Sequence, residues 1–301
     1  MRRVGFARPE PLWPRRGGKK EGAHGGTMGS PMLLTPRCLT IATSDSGGGA
    51  GIQADLKAFA ALGCHGTSAL VALTAQNTVG VTAIYELPPE FVVAQLKAVF
   101  DDIGVDAAKT GMLFSATLIE TVAGFIEEHA IPLVVDPVMV ASSGARLLEE
   151  TAVETLVKRL LPLAAVVTPN LAEAEVLAGA LGSKRELAER IHARGAPAVV
   201  VTGGHGDPVD HVFDGESHVE IPVERRERVA THGAGCTHSA TLCAALARGQ
   251  TLDEAARTAA AAASRAVQHG LTDVGAGDGP VDVLDLKEIR EHDPFDALDR
   301  R

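Results

Sequence analysis

Leu133-Val134-Val135-Asp136-Pro137 decides the fold class. Three aliphatic residues run together without polar alternation and then stop abruptly at Asp-Pro. A strand with one wet face alternates apolar and polar side chains, whereas an unbroken apolar run is buried on both faces, the habit of a parallel sheet covered by helices. Two further runs repeat the pattern: Ala165-Val166-Val167 before Thr168-Pro169-Asn170, and Val199-Val200-Val201 before Thr202-Gly203-Gly204-His205. Helical segments separate them, so the class is α/β with a mostly parallel central sheet. In open sheets of this kind ligands sit beyond the carboxyl ends of the strands. Three such ends carrying polar groups predict one crevice.

Toward the N-terminus, Leu39-Thr40-Ile41-Ala42-Thr43 reads as a strand leading into Ser44-Asp45-Ser46-Gly47-Gly48-Gly49-Ala50-Gly51. A helix follows, with Gly63 as its C′ residue. Ile52, Leu56 and Phe59 share one face, and Asp55 falls in the same arc. A carboxylate there is costly unless it is paired or opens onto a polar cleft, so a solvated edge and a cleft-facing position both stand open. Toward the C-terminus, Val209 to Val223 predicts an antiparallel edge hairpin turning at Asp214-Gly215. Thr231-His232-Gly233-Ala234-Gly235-Cys236-Thr237 then opens a helical run to Arg248, with Gly249 just past it. A glycine turn at a helix start leaves backbone N–H groups without partners, and the helix dipole favours an anion there. Thr251 and Glu254 have the spacing of a capping box before a second Ala-rich helix that ends near Gly270.

The chain has 301 residues and a net charge of −10, which argues against nucleic acid as the main partner. Residues 1–37 hold 8 Lys/Arg against 2 Asp/Glu, a net +6, leaving −16 for the rest. An acidic body around a polyanion site needs a local cation. The first 37 residues show no period and read as a disordered extension without a secretory apolar core, with Met28 and Met32 as alternative starts. Residues 38–301 read as one domain. Cys38, Cys64, Cys236 and Cys243 form no C-x-x-C pair, which predicts reduced thiols in a cytoplasmic protein. No apolar run reaches the roughly 18 residues of a membrane span.

Gly49-Ala50-Gly51-Ile52-Gln53-Ala54 fits a dinucleotide fingerprint, but no acidic residue lies between Asp55 and Glu86 to take a ribose. A P-loop is also missing. A Cys236 nucleophile served by His232 or His238, and a His232/Cys236/His238 zinc site, are weaker readings because all three crowd one turn. Asn170 and Glu173 at a helix start suit a hydrated Mg²⁺, although an acidic first turn commonly just complements the dipole.

Seven segments match one family in order. They are Asp45 to Lys57, Ala75-Gln76-Asn77-Thr78, Lys109-Thr110-Gly111-Met112-Leu113, Asp136-Pro137-Val138-Met139-Val140, Thr168-Pro169-Asn170 with Glu173, Gly203-Gly204-His205, and Thr231 to Thr237. From about residue 38 to 284 the chain resembles the hydroxymethylpyrimidine/phosphomethylpyrimidine kinases of thiamine biosynthesis, members of the ribokinase-like superfamily. The resemblance implies a three-layer α/β/α fold and two transfers from ATP, first to the alcohol of 4-amino-5-hydroxymethyl-2-methylpyrimidine and then to its monophosphate. It implies Gln76 and Asp55 as substrate-binding, with Ala50, Met112 and Val138 around the ring. Gly233, Ala234, Gly235 and Cys236 become an anion hole, with Cys236 as base or as a member of that hole. Asn170, Thr202, Gly204 and Thr231 fall on the nucleotide side, and Asp136 and Glu173 on Mg²⁺.

By the same resemblance the protein is a homodimer with Ala75–Tyr85 as a flap near the contact. No fused thiamine-phosphate synthase is expected. The chain departs from relatives at Ser142 and Thr202, where some carry Lys, at Thr43 for Gly, and at Ala234 for Thr. A pyridoxal/pyridoxine kinase, or a pyrimidine-binding protein impaired in catalysis, are the alternatives.

Overall fold

The computed structural model describes residues 34–139, 148, 150–203, 207–224 and 230–291. Strand β1 (Arg37–Asp45) runs through the glycine-rich turn into α1 (Gly51–Ala61), then β2 (His65–Gln76) and β3 (Val81–Glu86). Next come α2 (Pro89–Ala98), β4 (Ala107–Thr110), α3 (Ala116–Ile126), β5 (Leu133–Val135), α4 (Glu150–Thr155) and β6 (Val166–Val167). Helices α5 (Leu171–Ala178) and α6 (Lys184–Ala193) precede β7 (Val199–Val201), β8 (Val209–Phe213) and β9 (His218–Pro222). The chain closes with α7 (Ala234–Ala247), α8 (Leu252–Gln268) and the short α9 (Leu286–Glu291).

The nine strands form one sheet in the order β3-β2-β1-β4-β5-β6-β7-β8-β9. The six from β2 to β7 are parallel, while β3, β8 and β9 add antiparallel edges. Burial on both faces follows residue by residue. Leu133, Val135, Val199 and Val201 enter a core that α2, α3, α5 and α6 complete. Their neighbours Val134 and Val200 enter the opposite core, closed by α1, α7 and α8. The result is a three-layer α/β/α sandwich, and the fold is ribokinase-like.

The hairpin β8–β9 lies where the sequence predicts it, its loop closed by Asp214 accepting from Glu216 and Ser217. Gly63 takes the left-handed conformation after α1, and Thr251 and Glu254 form the expected capping box on α8. Two boundaries move. Helix α7 begins at Ala234, two residues before Cys236. The first strand begins at Arg37, whose guanidinium reaches Asp106 at 2.7 Å, so the folded unit takes in the last residue assigned to the extension. The remainder of that extension to residue 33 is outside the described residues.

Parallel order fixes the position of the site. Strands β2 and β4 flank β1 on opposite sides, so consecutive connections leave β1 in opposite directions. The polar residues after β1, β4, β5, β6 and β7 therefore gather at one end of the sheet.

Candidate active site

The start of α7 is built by a close approach that only glycine permits. Gly233 caps the helix at φ 88°, and a Cβ there would lie 1.8 Å from the carbonyl oxygen of Gly49. The turn bearing the anion site is thus pressed onto the glycine loop after β1. The N–H of Ala234 is already taken by the carbonyl of Thr231 at 3.1 Å, which corrects its expected place in the anion hole. Among the described residues, the N–H groups of Gly235 and Cys236 meet no protein acceptor, and a Cβ on Gly235 would enter open space. Two oriented donors remain at the positive end of a 14-residue helix.

Behind this turn lies a buried line of charge. Lys109, on β4 and fully buried, places its Nζ 2.8 Å from Asp55 Oδ1 and 3.5 Å from Asp136 Oδ2. Asp55 also accepts from Thr40 Oγ1 at 2.6 Å. Burial works against the Lys109 ammonium, but the carboxylates of Asp55 and then Asp136 outweigh it and hold the lysine above its usual range. Asp55 is therefore neither a solvated edge residue nor directly available to substrate. Its carboxylate is spent on Thr40 and Lys109 beneath the site. Asp136 is anchored from the other side by Ser239 Oγ of α7 at 2.8 Å.

Burial first, and then the charges of Asp136 and Asp55, push the Cys236 thiol up to about 12 against the opposing pull of Lys109 and the Gly51 N–H. At neutral pH this group is a thiol. Glu173 is 8% exposed and caps α5 together with Asn170: the Asn170 side chain accepts from Glu173 N–H, and the Glu173 carboxylate accepts from the N–H groups of Asn170 and Met139. Asn170 thus spends its side-chain oxygen on the helix cap. Burial and the nearby charge of Asp136 push Glu173 up to about 7. Among the described residues no Lys, Arg or His pairs with it. Two buried carboxylates in mutual repulsion, both hard oxygen donors, fit a hydrated divalent cation such as Mg²⁺.

On the β1–β2 side a cavity of about 250 Å³ is lined by Gln76, Asn77, Thr78, Val79, His232, Ala276, Gly277 and Asp278. Gln76 is where the sequence predicts a substrate contact. Ala50, Met112 and Val138 are not on this cavity's wall. The Ala50 N–H serves Asp45, and the Met112 carbonyl accepts the Thr43 hydroxyl at 3.1 Å. Thr231 donates from both its N–H and its hydroxyl to Asp278. The Thr202 N–H donates to Pro169 O, bringing the ends of β6 and β7 together. Gly204, with His205, Val140 and Ser142, lies outside the described residues.

His232 and His238 are held by Asp45 and Asp210, each at 2.9 Å, and among the described residues neither makes a hydrogen bond to Cys236 and the three do not bring their ligand atoms together as a metal site. Sequence reasoning quoted Asp45 and Lys109 only within matched segments, weighed His232 in other roles, and missed Ser239. A lysine inside an apolar strand was a usable signal, since a buried ammonium requires carboxylates.

A family model described as phosphomethylpyrimidine kinase matches residues 45–282. The hydroxymethylpyrimidine/phosphomethylpyrimidine kinase of Rhizobium meliloti is 48% identical over 257 residues, covering 82% of this chain and 97% of that protein. The thiamine biosynthesis bifunctional protein ThiED of Geobacter sulfurreducens is 49% identical over 262 residues, and here the chain spans 84% of itself but only 53% of the relative. Among solved structures, an ADP complex of Bacillus subtilis pyridoxal kinase superposes with a TM-score of 0.77 at 38% identity, covering 84% of this chain and 99% of that one. With a family model matching most of its length and relatives near half identical, the chain belongs to the phosphomethylpyrimidine kinase family.

Proposed function

We propose that the chain transfers the γ-phosphoryl group of ATP to the hydroxymethyl oxygen of 4-amino-5-hydroxymethyl-2-methylpyrimidine, and a second phosphoryl group to the resulting monophosphate. The observation that carries this reading is the start of α7, where among the described residues the N–H groups of Gly235 and Cys236 meet no protein acceptor. In the first transfer the substrate oxygen forms a bond to γ-phosphorus while the bond to the bridging oxygen breaks, and ADP leaves. The two N–H groups receive the charge that spreads over the phosphoryl oxygens.

Cys236 already carries its proton, so it belongs to the anion hole, and the hydroxyl proton passes to the transferred group. A loose transition state makes little demand on a base. Mg²⁺, held by Asp136 and Glu173 directly or through water, would neutralise phosphate charge. Mass spectrometry of products from the pyrimidine alcohol with ATP and Mg²⁺ tests the reading, with one phosphate reporting the first step and two reporting both. An unmodified alcohol refutes it.

A pyridoxal kinase is the second reading, favoured by the superposition on pyridoxal kinase. Parallel assays of ADP release with each alcohol separate the two. The partner we assign is a second copy of the chain, seated on the exposed Leu73, Val79, Tyr85 and Phe91 of the β2–β3 hairpin and α2; light scattering of the pure protein tests it. No helix among the described residues is long and apolar enough to cross a membrane. We assign the reaction to the cytoplasm.

A further inference from the structure

Hydrogen counting around Gln76 tells the two ends of its side-chain amide apart. Asp45 accepts from the Gly47 N–H at 2.7 Å through Oδ1, and from the N–H groups of Gly49 and Ala50 at 3.1 and 2.8 Å through Oδ2. Burial raises its carboxyl, but the contacts with His232, Ala50 and Gly47 outweigh burial and leave it below the usual carboxylate range. Asp45 only accepts, so His232 Nε2, 2.9 Å from Oδ2, carries a hydrogen. The same Nε2 lies 3.4 Å from the atom placed as Gln76 Nε2. An amide nitrogen there would set two donors face to face. An amide's two ends have the same shape, so hydrogen bonding decides between them.

The other end gives the same answer. Thr74 Oγ1 lies 3.0 Å from Ser44 O and 3.1 Å from the atom placed as Gln76 Oε1, so one hydroxyl hydrogen faces two oxygens. With that hydrogen on the Ser44 carbonyl, Thr74 accepts from Gln76 once the amide is turned end for end. The imidazole is held in place, since a Cβ on Gly49 would come within 2.2 Å of His232 Cδ2.

We propose that His232, held by Asp45, is a positioning residue for substrate specificity: it turns the Gln76 carbonyl oxygen toward the α7 turn and the Gln76 amino group toward Thr74. This deepens the proposed function and rests on it. One Gln76 N–H and one oxygen lone pair remain for a ligand, which suits a two-point contact with an N=C–NH₂ edge. The exocyclic amine then lies on the His232 side and the ring nitrogen on the Thr74 side. In the substrate the 4-amino group neighbours C5, which bears the hydroxymethyl. This orientation carries the alcohol toward Gly233–Cys236, and the opposite amide would carry it away.

The test compares the 4-amino alcohol with its 4-oxo analogue, whose N3–H and O4 reverse the donor and acceptor. With the wild-type chain, kcat/KM for the amino compound exceeds that for the oxo compound by about a hundredfold or more, as expected for a site built around one hydrogen-bond pattern. His232→Phe keeps a ring but no N–H. It raises KM for the amino compound and reduces the preference at least ~10-fold, while KM for ATP is unchanged. A preference unchanged in His232→Phe overturns the proposal. Wild-type turnover of pyridoxal with neither pyrimidine accepted overturns the function reading instead. Should the variant not fold, ¹⁵N-resolved imidazole spectra of the wild type decide: hydrogen on His232 Nε2 supports the proposal, and hydrogen on Nδ1 alone overturns it.

Discussion

Replacing Lys109 by Met removes one ammonium from beneath the site and leaves two carboxylates facing one another. Lys109 and Asp55 are both fully buried 2.8 Å apart, with Asp136 3.5 Å from the same nitrogen. Breaking a buried pair by deleting one partner costs about 3–5 kcal/mol, because the remaining charge has neither water nor a counterion. That is about a fifth to all of the roughly 5–15 kcal/mol that holds a typical domain together. Removing both charges in Lys109→Met/Asp55→Leu restores much of the loss, since an apolar replacement leaves less charge stranded. Urea unfolding of the four proteins yields the coupling energy, expected at about 2 kcal/mol or more, with little change in m. A Lys109→Met loss below about 1 kcal/mol, or strict additivity, refutes the account of Lys109 as the counterion of this layer.

Three further outcomes follow from the site. Gly233→Ala brings a Cβ to 1.8 Å from Gly49 O at φ 88°, so steady-state kcat falls at least about 100-fold as the N–H donors are displaced; near-normal turnover contradicts the close approach. Cys236→Ala retains turnover within about tenfold, because a thiol pushed up to about 12 is not the base at neutral pH; a thousandfold loss restores the base reading. The folded chain keeps a proton on Glu173 that the unfolded chain releases between its ordinary value near 4.5 and about 7, so stability declines as pH rises through that window, by at most about 3 kcal/mol. Cation binding ejects that proton, and the gain in Tm on adding Mg²⁺ is therefore larger at pH 8 than at pH 5.5. Equal gains speak against the carboxylate pair.

The parallel sheet was legible because β5 and β7 are short aliphatic runs whose alternate residues fill two different cores, which leaves no polar position in the strand. The hairpin and the α8 cap were legible for equally local reasons. Strand β2 was not, since its 12 residues mix Thr, Ser, Gly and Ala with a few large apolar side chains, and its edge partner β3 is largely exposed. Asp55 shows where local reading stops. Periodicity placed its carboxylate on the inner face, but its partner is 54 residues away on another strand. Cys236 shows the same limit, because the charges that set its protonation come from β4, α1 and the end of β5.

Those distant partners form one continuous structure. Thr40 donates to Asp55, Asp55 and Asp136 share Lys109, and Ser239 joins Asp136 to α7 within 3.1 Å of the carbonyl oxygens of Gly235 and Cys236. The line crosses from β1 and α1 through β4 to the end of β5 and into the first turns of α7. It carries two negative charges and one positive, so it is short of one positive charge before Glu173 is counted. A chain with net charge −10 could have placed a second lysine there and become more stable without ligand. It would then have had less reason to bind a cation. A deficit confined to the end of β5 and the start of α5 is a place where a bound cation would add stability.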